Sequence, residues 1–279
     1  MQVVGKSCNQ YINHKFEIIN IMLFNNIIYG PIHSRRLGTS LGVELMPLTH
    51  KLCTFNCVYC ECGWNTPVSH PVLPTRAEVK AALEEKLISL SSVPEQRGAI
   101  DVITFSGNGE PTLHPDFLGI IEDTCALRDR YCPSAKVSVL SNSTQLGRSD
   151  VVQALMLCDN RILKLDAATD TMMRRIDLPV NEHLTVETIL GWLGRFNGDF
   201  ILQTCFLRGE HDGQPIDNTT PEELAAWYAA VDKLHPKQIM IYVIDRKTPE
   251  EHLEKISPDE MGRIATPLIE KGYDVIVSA

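Results

Sequence analysis

Short apolar runs alternate along this chain with longer stretches in which apolar residues recur every three or four positions. That is the pattern of strand–helix units building a parallel sheet. A first strand is predicted near 41–46, ahead of a cysteine-rich loop. Thr75 then opens a helix carrying Ala77, Val79, Ala81, Leu83 and Leu87 among Glu and Lys. Ile100–Phe105 reads as the second strand, with a helix from Pro115-Asp116 through Arg130. Lys136–Leu140 is the third strand, followed by a helix over 149–157, and Ile162–Leu165 is the fourth. After a long loop come a helix near 185–196, a fifth strand at Phe200–Phe206 and a helix over Pro221–Leu234. Gln238–Ile244 is the sixth strand, a helix follows near 258–270, and Tyr273–Val277 reads as a last strand.

The unusual polar residues keep one phase with this pattern. The cysteine loop, Glu110, Ser141-Asn142, Asp166, the stretch Gln203 to Arg208, and Asp245-Arg246 each follow the apolar part of a strand. In parallel α/β barrels those positions open on one face, where catalytic loops gather. The fold class expected is therefore α/β with one functional rim.

At 279 residues and 44% hydrophobic, the chain can bury a large core as one barrel-like domain or two smaller ones. A net charge of −9 argues against a protein coated in positive charge for nucleic acid, leaving only local pairs such as Arg35-Arg36 and Arg174-Arg175. No run approaches the roughly 20 apolar residues that span a bilayer, and no secretory signal stands at the N-terminus. Nine cysteines, an odd number in a long chain, do not read as a disulfide framework. Free thiols fit a reducing cytoplasm. Residues 1–27 are read as an N-terminal extension, poorly ordered over 1–21, with residues 28–279 as the core domain.

The chemistry concentrates in Cys53-Thr54-Phe55-Asn56-Cys57-Val58-Tyr59-Cys60. The spacing Cys-x3-Cys-x2-Cys puts three thiolates on one short loop, enough to hold three irons of a cubic [4Fe–4S] cluster and leave the fourth open to a reactive ligand. Iron–sulfur and structural zinc sites ordinarily take four ligands. With Cys62 included, a zinc knot or fully ligated cluster is the alternative, although zinc sites favour two separated pairs. Tyr59 stands where its ring can lie against a flat ligand on the cluster. Cys125, Cys132, Cys158 and Cys205 are scattered on helix or strand patterns and read as buried free thiols.

This three-cysteine spacing with an aromatic before the third cysteine resembles the radical S-adenosylmethionine (SAM) superfamily. The lead-in Gly30-Pro31-Ile32-His33-Ser34-Arg35-Arg36-Leu37-Gly38 and Ser40-Leu41-Gly42-Val43-Glu44 resembles a bacterial and archaeal subgroup of Fe–S oxidoreductases. That subgroup is similar to the radical SAM core of tRNA wybutosine-synthesis enzymes. Ser106-Gly107-Asn108-Gly109-Glu110-Pro111, Leu165-Asp166-Ala167 and Ile244-Asp245-Arg246 agree with it. The resemblance covers roughly residues 28 to 250 and implies a partial (β/α)6 barrel of the radical SAM type.

It also implies cofactors and roles. Cys53, Cys57 and Cys60 would ligate a [4Fe–4S] cluster, with Cys62 a bystander. SAM would chelate the open iron and be cleaved reductively to a 5′-deoxyadenosyl radical that abstracts hydrogen from a substrate that the sequence does not name. Gly107, Asn108, Gly109 and Glu110 look like the motif that receives the SAM amino group, with Asn108 standing where many members carry a second adjacent glycine. Glycines permit close backbone approach, and a carboxylate suits an ammonium. Ser141 and Asn142 would bond the SAM ribose or carboxylate, or form a plain turn. Asp166 would take ribose or substrate, or else make an inward salt bridge with Lys164. Arg208 and Asp245-Arg246 are further barrel-mouth candidates. No general acid or base is assigned. An electron donor such as flavodoxin or ferredoxin is implied.

Two other functions compete with this reading. One is a tRNA-modifying enzyme on the same core, which the acidic charge disfavours. The other is a non-catalytic Fe–S electron carrier or zinc-binding module.

Overall fold

In the computed structural model, residues 22–34, 37–92 and 100–279 are described. The strands are β1 Ile28–Ser34, β2 Gly38–Val43, β3 Val102–Phe105, β4 Lys136–Ser141, β5 Asn160–Lys164, β6 Ile201–His211, β7 Gln214–Asp217, β8 Gln238–Val243, β9 Leu253–Lys255 and β10 Val275–Ser278. They form one sheet in the order β1-β2-β3-β4-β5-β6-β8-β10. From β2 to β10 every neighbour along this path is parallel. The path starts at β1 and stops at β10, which do not pair with each other among the described residues, so the sheet is a partial barrel.

The connecting helices are α1 Arg76–Ser92, α2 Phe117–Tyr131, α3 Ser149–Leu157, α4 Asp170–Ile176, α5 Val186–Leu193, α6 Pro221–Leu234 and α7 Pro258–Glu270. Their starts are chemically marked. Thr169, Thr185, Thr220 and Ser257 each cap the first turn through a side-chain oxygen, and Pro221 and Pro258 occupy first helical positions. Thr75 and Glu78 exchange hydrogen bonds as a reciprocal cap ahead of α1.

Strand alternation sorts side chains to the two faces of the sheet. Leu163, Leu202, Ile239 and Ile241 pack in the large core, whereas Ile162, Ile201 and Met240 form a separate cluster with Leu37, Leu140 and Ile276. On the second face, further along the same strands, lie Lys164, Gln203 and Tyr242.

Four elements are absent from the sequence reading. β1 runs antiparallel to β2 with a register shift between Tyr29 and Ile32, which breaks the alternation that would reveal it. α4 spans seven residues, too short to establish a helical period. β7 and β9 add antiparallel pairs to the far half of β6, which extends past the predicted Phe206 to His211. Such short polar strands exist only through their partner. The first predicted strand lies three residues earlier, at Gly38–Val43.

Residues 1–21, Arg35 and Arg36 lie outside the described residues. Residues 22–27, read from sequence as part of the extension, lie against the core: the Met22 N–H donates to Glu61 O at 3.1 Å, and Phe24 stacks on Tyr29 at 3.7 Å. No helix among the described residues is long and apolar enough to cross a membrane.

Candidate functional site

The cysteine loop leaves the carboxyl end of β2 and is held from three directions. Asn65 threads it from behind: its Oδ1 accepts the Cys53 N–H at 3.1 Å, and its Nδ2 donates to Cys53 O at 3.1 Å and Phe55 O at 3.0 Å. The end of α4 takes its middle, with the Asn56 N–H donating to Asp177 O at 2.8 Å and the Val58 N–H to Ile176 O at 2.9 Å. The third hold is a parallel bridge between Leu52 and Gly109. A Cβ on Gly109 would collide with the Leu52 carbonyl, and one on Gly107 would collide with the Glu44 carboxylate. The glycines therefore let the loop after β3 dock on the cysteine loop and on Glu44.

Cys53, Cys57 and Cys60 line one cavity of about 310 Å³ at the carboxyl ends of the strands, together with Gly107, Gly109 and Glu110. Ser141, Asn142, Lys164 and Tyr59 complete its wall. Lys51 is 3% exposed, lines the same cavity and donates to Gly63 O at 2.9 Å. Burial alone would lower its pKa, but Cys60, Cys57 and Cys53 hold it above the ordinary lysine range. A fixed cation among three thiols is what three thiolates need. Among the described residues no three His, Cys, Asp or Glu side chains converge closely enough for a single metal ion. Thiols spread over a cavity wall fit a multi-iron cube, which must sit between its ligands. Cys62 lies beside this group, its Sγ 3.2 Å from Gly107 O.

Glu110 is the organiser of the opposite wall. Its Oε1 accepts from the Thr112 N–H at 3.1 Å and Ser141 Oγ at 2.9 Å, and its Oε2 accepts from the Asn142 N–H at 2.7 Å. Burial raises its pKa, and these donors act against that rise. Asn142 continues the chain of contacts, its Nδ2 donating to Thr54 Oγ1 at 2.9 Å and lying 3.4 Å from Cys53 Sγ. The Glu110–Ser141–Asn142 set named from sequence thus forms one hydrogen-bonded unit, tied directly to a cysteine.

Two other predicted residues face elsewhere. The Asn108 side chain turns from the cavity: its Oδ1 accepts the Phe24 N–H at 2.8 Å, and its Nδ2 donates to Phe24 O at 2.8 Å and Pro47 O at 3.0 Å. Asp166 sits behind Tyr59, accepting from the Tyr59 hydroxyl and, at 2.7 Å, from the Cys205 N–H. Lys164 lies 3.4 Å from Asp166 and donates to Tyr59 Oη at 2.6 Å and Tyr242 Oη at 2.9 Å. Lys164 and Asp166 form the inward salt bridge that the sequence reading offered as one alternative. Tyr59 is therefore held by its hydroxyl as well as lining the cavity.

Among the other candidates, Arg208 is occupied by Thr219, Glu260 and Asp217. Arg246 lines the cavity and pairs with Glu61 at 2.6 Å. Arg174 and Arg175 bond the carbonyls of Glu182 and Pro215.

Three participants escaped sequence reasoning. Lys51 stands two residues before Cys53, and a lone cation entering a cysteine loop was its only signal. Glu44 lies buried under the loop after β3, its carboxylate accepting the Asn108 N–H at 2.6 Å and the Met46 N–H at 2.7 Å. Burial pushes its pKa up to about 7. Asp177 touches Cys57 Sγ at 3.4 Å from far along the chain, and burial drives its pKa well up.

No family model matches the chain. It is 32% identical over 197 residues to a UPF0026 protein of Synechocystis, covering 69% of this chain and 67% of that protein. It is 29% identical over 239 residues to a Brachyspira hyodysenteriae protein named GTPase Obg, covering 84% of this chain but only 32% of that protein. The chain thus spans about a third of that relative's length. Among solved structures it resembles TYW1 with a lysine-pyruvate adduct bound, at TM-score 0.56 and 18% identity over 84% of this chain and 74% of that one. SuiB of Streptococcus suis bound to S-adenosylmethionine gives TM-score 0.59 at 12% identity, over 85% of this chain and 50% of that one. Coproporphyrinogen III oxidase of Escherichia coli, described as a radical SAM enzyme, gives 0.52 at 17% identity over 82% and 51%. These likenesses establish the open parallel sheet as the radical SAM type of partial barrel.

Proposed function

The chain belongs to the UPF0026 family, and from that premise we propose that it is a radical SAM enzyme holding a [4Fe–4S] cluster on Cys53, Cys57 and Cys60. The observation that carries the reading is the shared cavity: three thiols, the buried Lys51 ammonium and the Glu110–Ser141–Asn142 unit all face one space at the carboxyl rim of the sheet. When bound there, the cluster and SAM would supply a 5′-deoxyadenosyl radical for hydrogen abstraction.

The chain's own part is orientation and charge. Lys51 offsets the thiolate charge. Asn142 stands beside the Cys53 sulfur, where a donor lowers the cost of negative charge on a ligating thiolate. Glu110 lines the cavity with Oε1 held by Thr112 and Ser141, and Oε2, which accepts the Asn142 N–H, keeps a lone pair that is preorganised to receive a cationic amine. Tyr59, locked by Lys164 and Asp166, closes the floor and helps exclude water from the space. An electron donor of the flavodoxin or ferredoxin kind is part of the proposal, and so is the reducing compartment that such a site needs.

Anaerobic reconstitution tests it. The wild-type chain is expected to take up about four iron and four sulfide and, with dithionite and SAM, to release 5′-deoxyadenosine and methionine slowly. Cys53→Ala, Cys57→Ala and Cys60→Ala should lose both properties, and Cys62→Ala should keep them. A cluster-loaded chain that never yields 5′-deoxyadenosine would make it an electron carrier instead. Loss of the cluster in Cys62→Ala would make Cys62 a fourth ligand.

A further inference from the structure

A second cavity, of about 580 Å³, opens inside the partial barrel next to the first. Ser106, Leu140 and Gln203 line both, as do Glu61 and Arg246, so the two spaces share a wall. The strands supply its back through Ser40, Thr104, Ile162 and Met240, and Met22, Leu23, Phe24, Ile32, His33 and Leu37 supply its front.

His33 is exposed at its front, and most of its other polar groups are paired. Ser40 and Thr104 hydroxyls bond each other at 2.8 Å, and the Tyr29 hydroxyl lies 2.9 Å from Ser106 O and 3.0 Å from Ser106 Oγ. Arg246 and Glu61 neutralise each other. Gln203 is only 4% exposed, and its side-chain amide has no hydrogen-bond partner among the described residues. Its amide atoms are not sealed off but open onto the cavities they line, where a ligand can pair with them. Position fixes where it points: on β6 it is registered against Lys164 of β5 and Met240 of β8, on the barrel's inner face. It stands at the junction of the two cavities.

We propose that this inner chamber is the substrate site, and that Gln203 reads a neutral ligand bearing an adjacent amide-type donor and acceptor, as in a lactam or a nucleobase edge. The substrate class rests on the radical SAM reading above. A primary amide presents one N–H donor and one carbonyl acceptor side by side, and a cyclic amide answers both. Charge is argued against by the walls: a charged ligand would be desolvated among Leu, Ile and Met side chains, with no uncommitted buried counter-charge among the described lining residues. The volume is that of ordinary small-molecule sites. The position beside the cofactor cavity brings a ligand within reach of chemistry started there.

Ligand-observed saturation-transfer NMR on the cluster-loaded, SAM-bound chain tests this, with δ-valerolactam and uracil as probes and cyclohexanone and cyclohexanecarboxylate as matched controls. The lactam and uracil should bind the wild type, and the carboxylate should not. Gln203→Met, close in size and lacking the amide, should weaken both amide probes roughly tenfold or more while leaving SAM affinity within about twofold. Ile162→Phe, which fills the chamber without touching Gln203's chemistry, should weaken all the probes that bind. Equal binding of the amide probes to Gln203→Met would overturn the assignment, and so would preferential binding of the carboxylate. A collapse of SAM affinity in Gln203→Met would reassign Gln203 to the cofactor. The same titration on Cys57→Ala, whose chamber walls are intact, reads the chamber separately from the cluster. Amide binding there, in a chain whose wild type makes no 5′-deoxyadenosine, would sink the enzyme reading and leave the chamber standing.

Discussion

Leu52 and Gly109 form a parallel bridge of one residue each: the Leu52 N–H donates to Asn108 O at 2.9 Å, and the Glu110 N–H donates back to Leu52 O at 3.2 Å. This bridge joins the loop that carries the cysteines to the loop that carries Glu110. Thiols and carboxylate are therefore coupled through one backbone contact, which adds to the holds that Asn65 and the end of α4 place on the cysteine loop.

Gly109→Ala should damage both halves of the site together. The added methyl meets the Leu52 carbonyl, backbone against backbone, so the loops must separate. Iron content and SAM affinity, measured on the same reconstituted sample, are expected to fall in parallel. Normal iron content with lost SAM binding would show that the bridge does not position the cysteines.

Glu110→Gln should spare the cluster and weaken SAM. The substitution replaces one acceptor oxygen with a donor facing either the Asn142 N–H or the Ser141 and Thr112 donors. It also removes the charge that would receive an amine. Loss of a contact to a charged group costs about 1.5–3 kcal/mol, or roughly ten- to a hundredfold in affinity. Calorimetric titration of SAM into iron-matched samples measures it, and unchanged affinity would remove Glu110 from the SAM site.

Glu44 makes stability depend on pH. Its folded pKa is pushed up to about 7 by burial, well above an ordinary carboxyl. The folded state therefore holds a proton that the unfolded state has released over this range. Its contribution is fully present below about pH 4.5 and is lost as pH rises towards about 7, by an amount on the order of 3 kcal/mol. Glu44→Gln cannot titrate. Unfolding midpoints at pH 5 and pH 8 should show wild type losing ground to the variant as pH rises; a constant gap would refute the shift.

Lys164→Met should destabilise the fold strongly. It strips the ammonium from Asp166, whose carboxylate is buried, and from the Tyr59 and Tyr242 hydroxyls. Breaking one side of a buried pair costs about 3–5 kcal/mol. Adding Asp166→Asn should recover part of the loss, because the uncompensated charge goes with it. Chemical denaturation of the single and double variants reads the coupling, and additive losses would mean that the pair does not interact.

Much of this protein is written in short-range pattern. The order of strands and helices followed from apolar periodicity, because each element buries one face and must repeat its own spacing to do so. Helix starts at Thr75 and Pro221 were legible because the residues that open a helix act locally. Cys53, Cys57 and Cys60 needed only their spacing, and the carboxyl-end phase of Glu110, Ser141 and Asn142 brought them to one cavity as expected. The tertiary structure decided what each group meets. Asn108 lies inside a recognised motif yet turns to Phe24, and the glycines beside it make room for Leu52 and Glu44 rather than for a ligand alone. Asp177 reaches Cys57 across 120 residues of chain, and Gln203, whose amide makes no hydrogen bond among the described residues, stands at the meeting of two cavities. Periodicity and spacing report which face a residue takes. A side chain's partner depends on how distant strands are registered and how their loops dock, and that is set only when the whole sheet has formed.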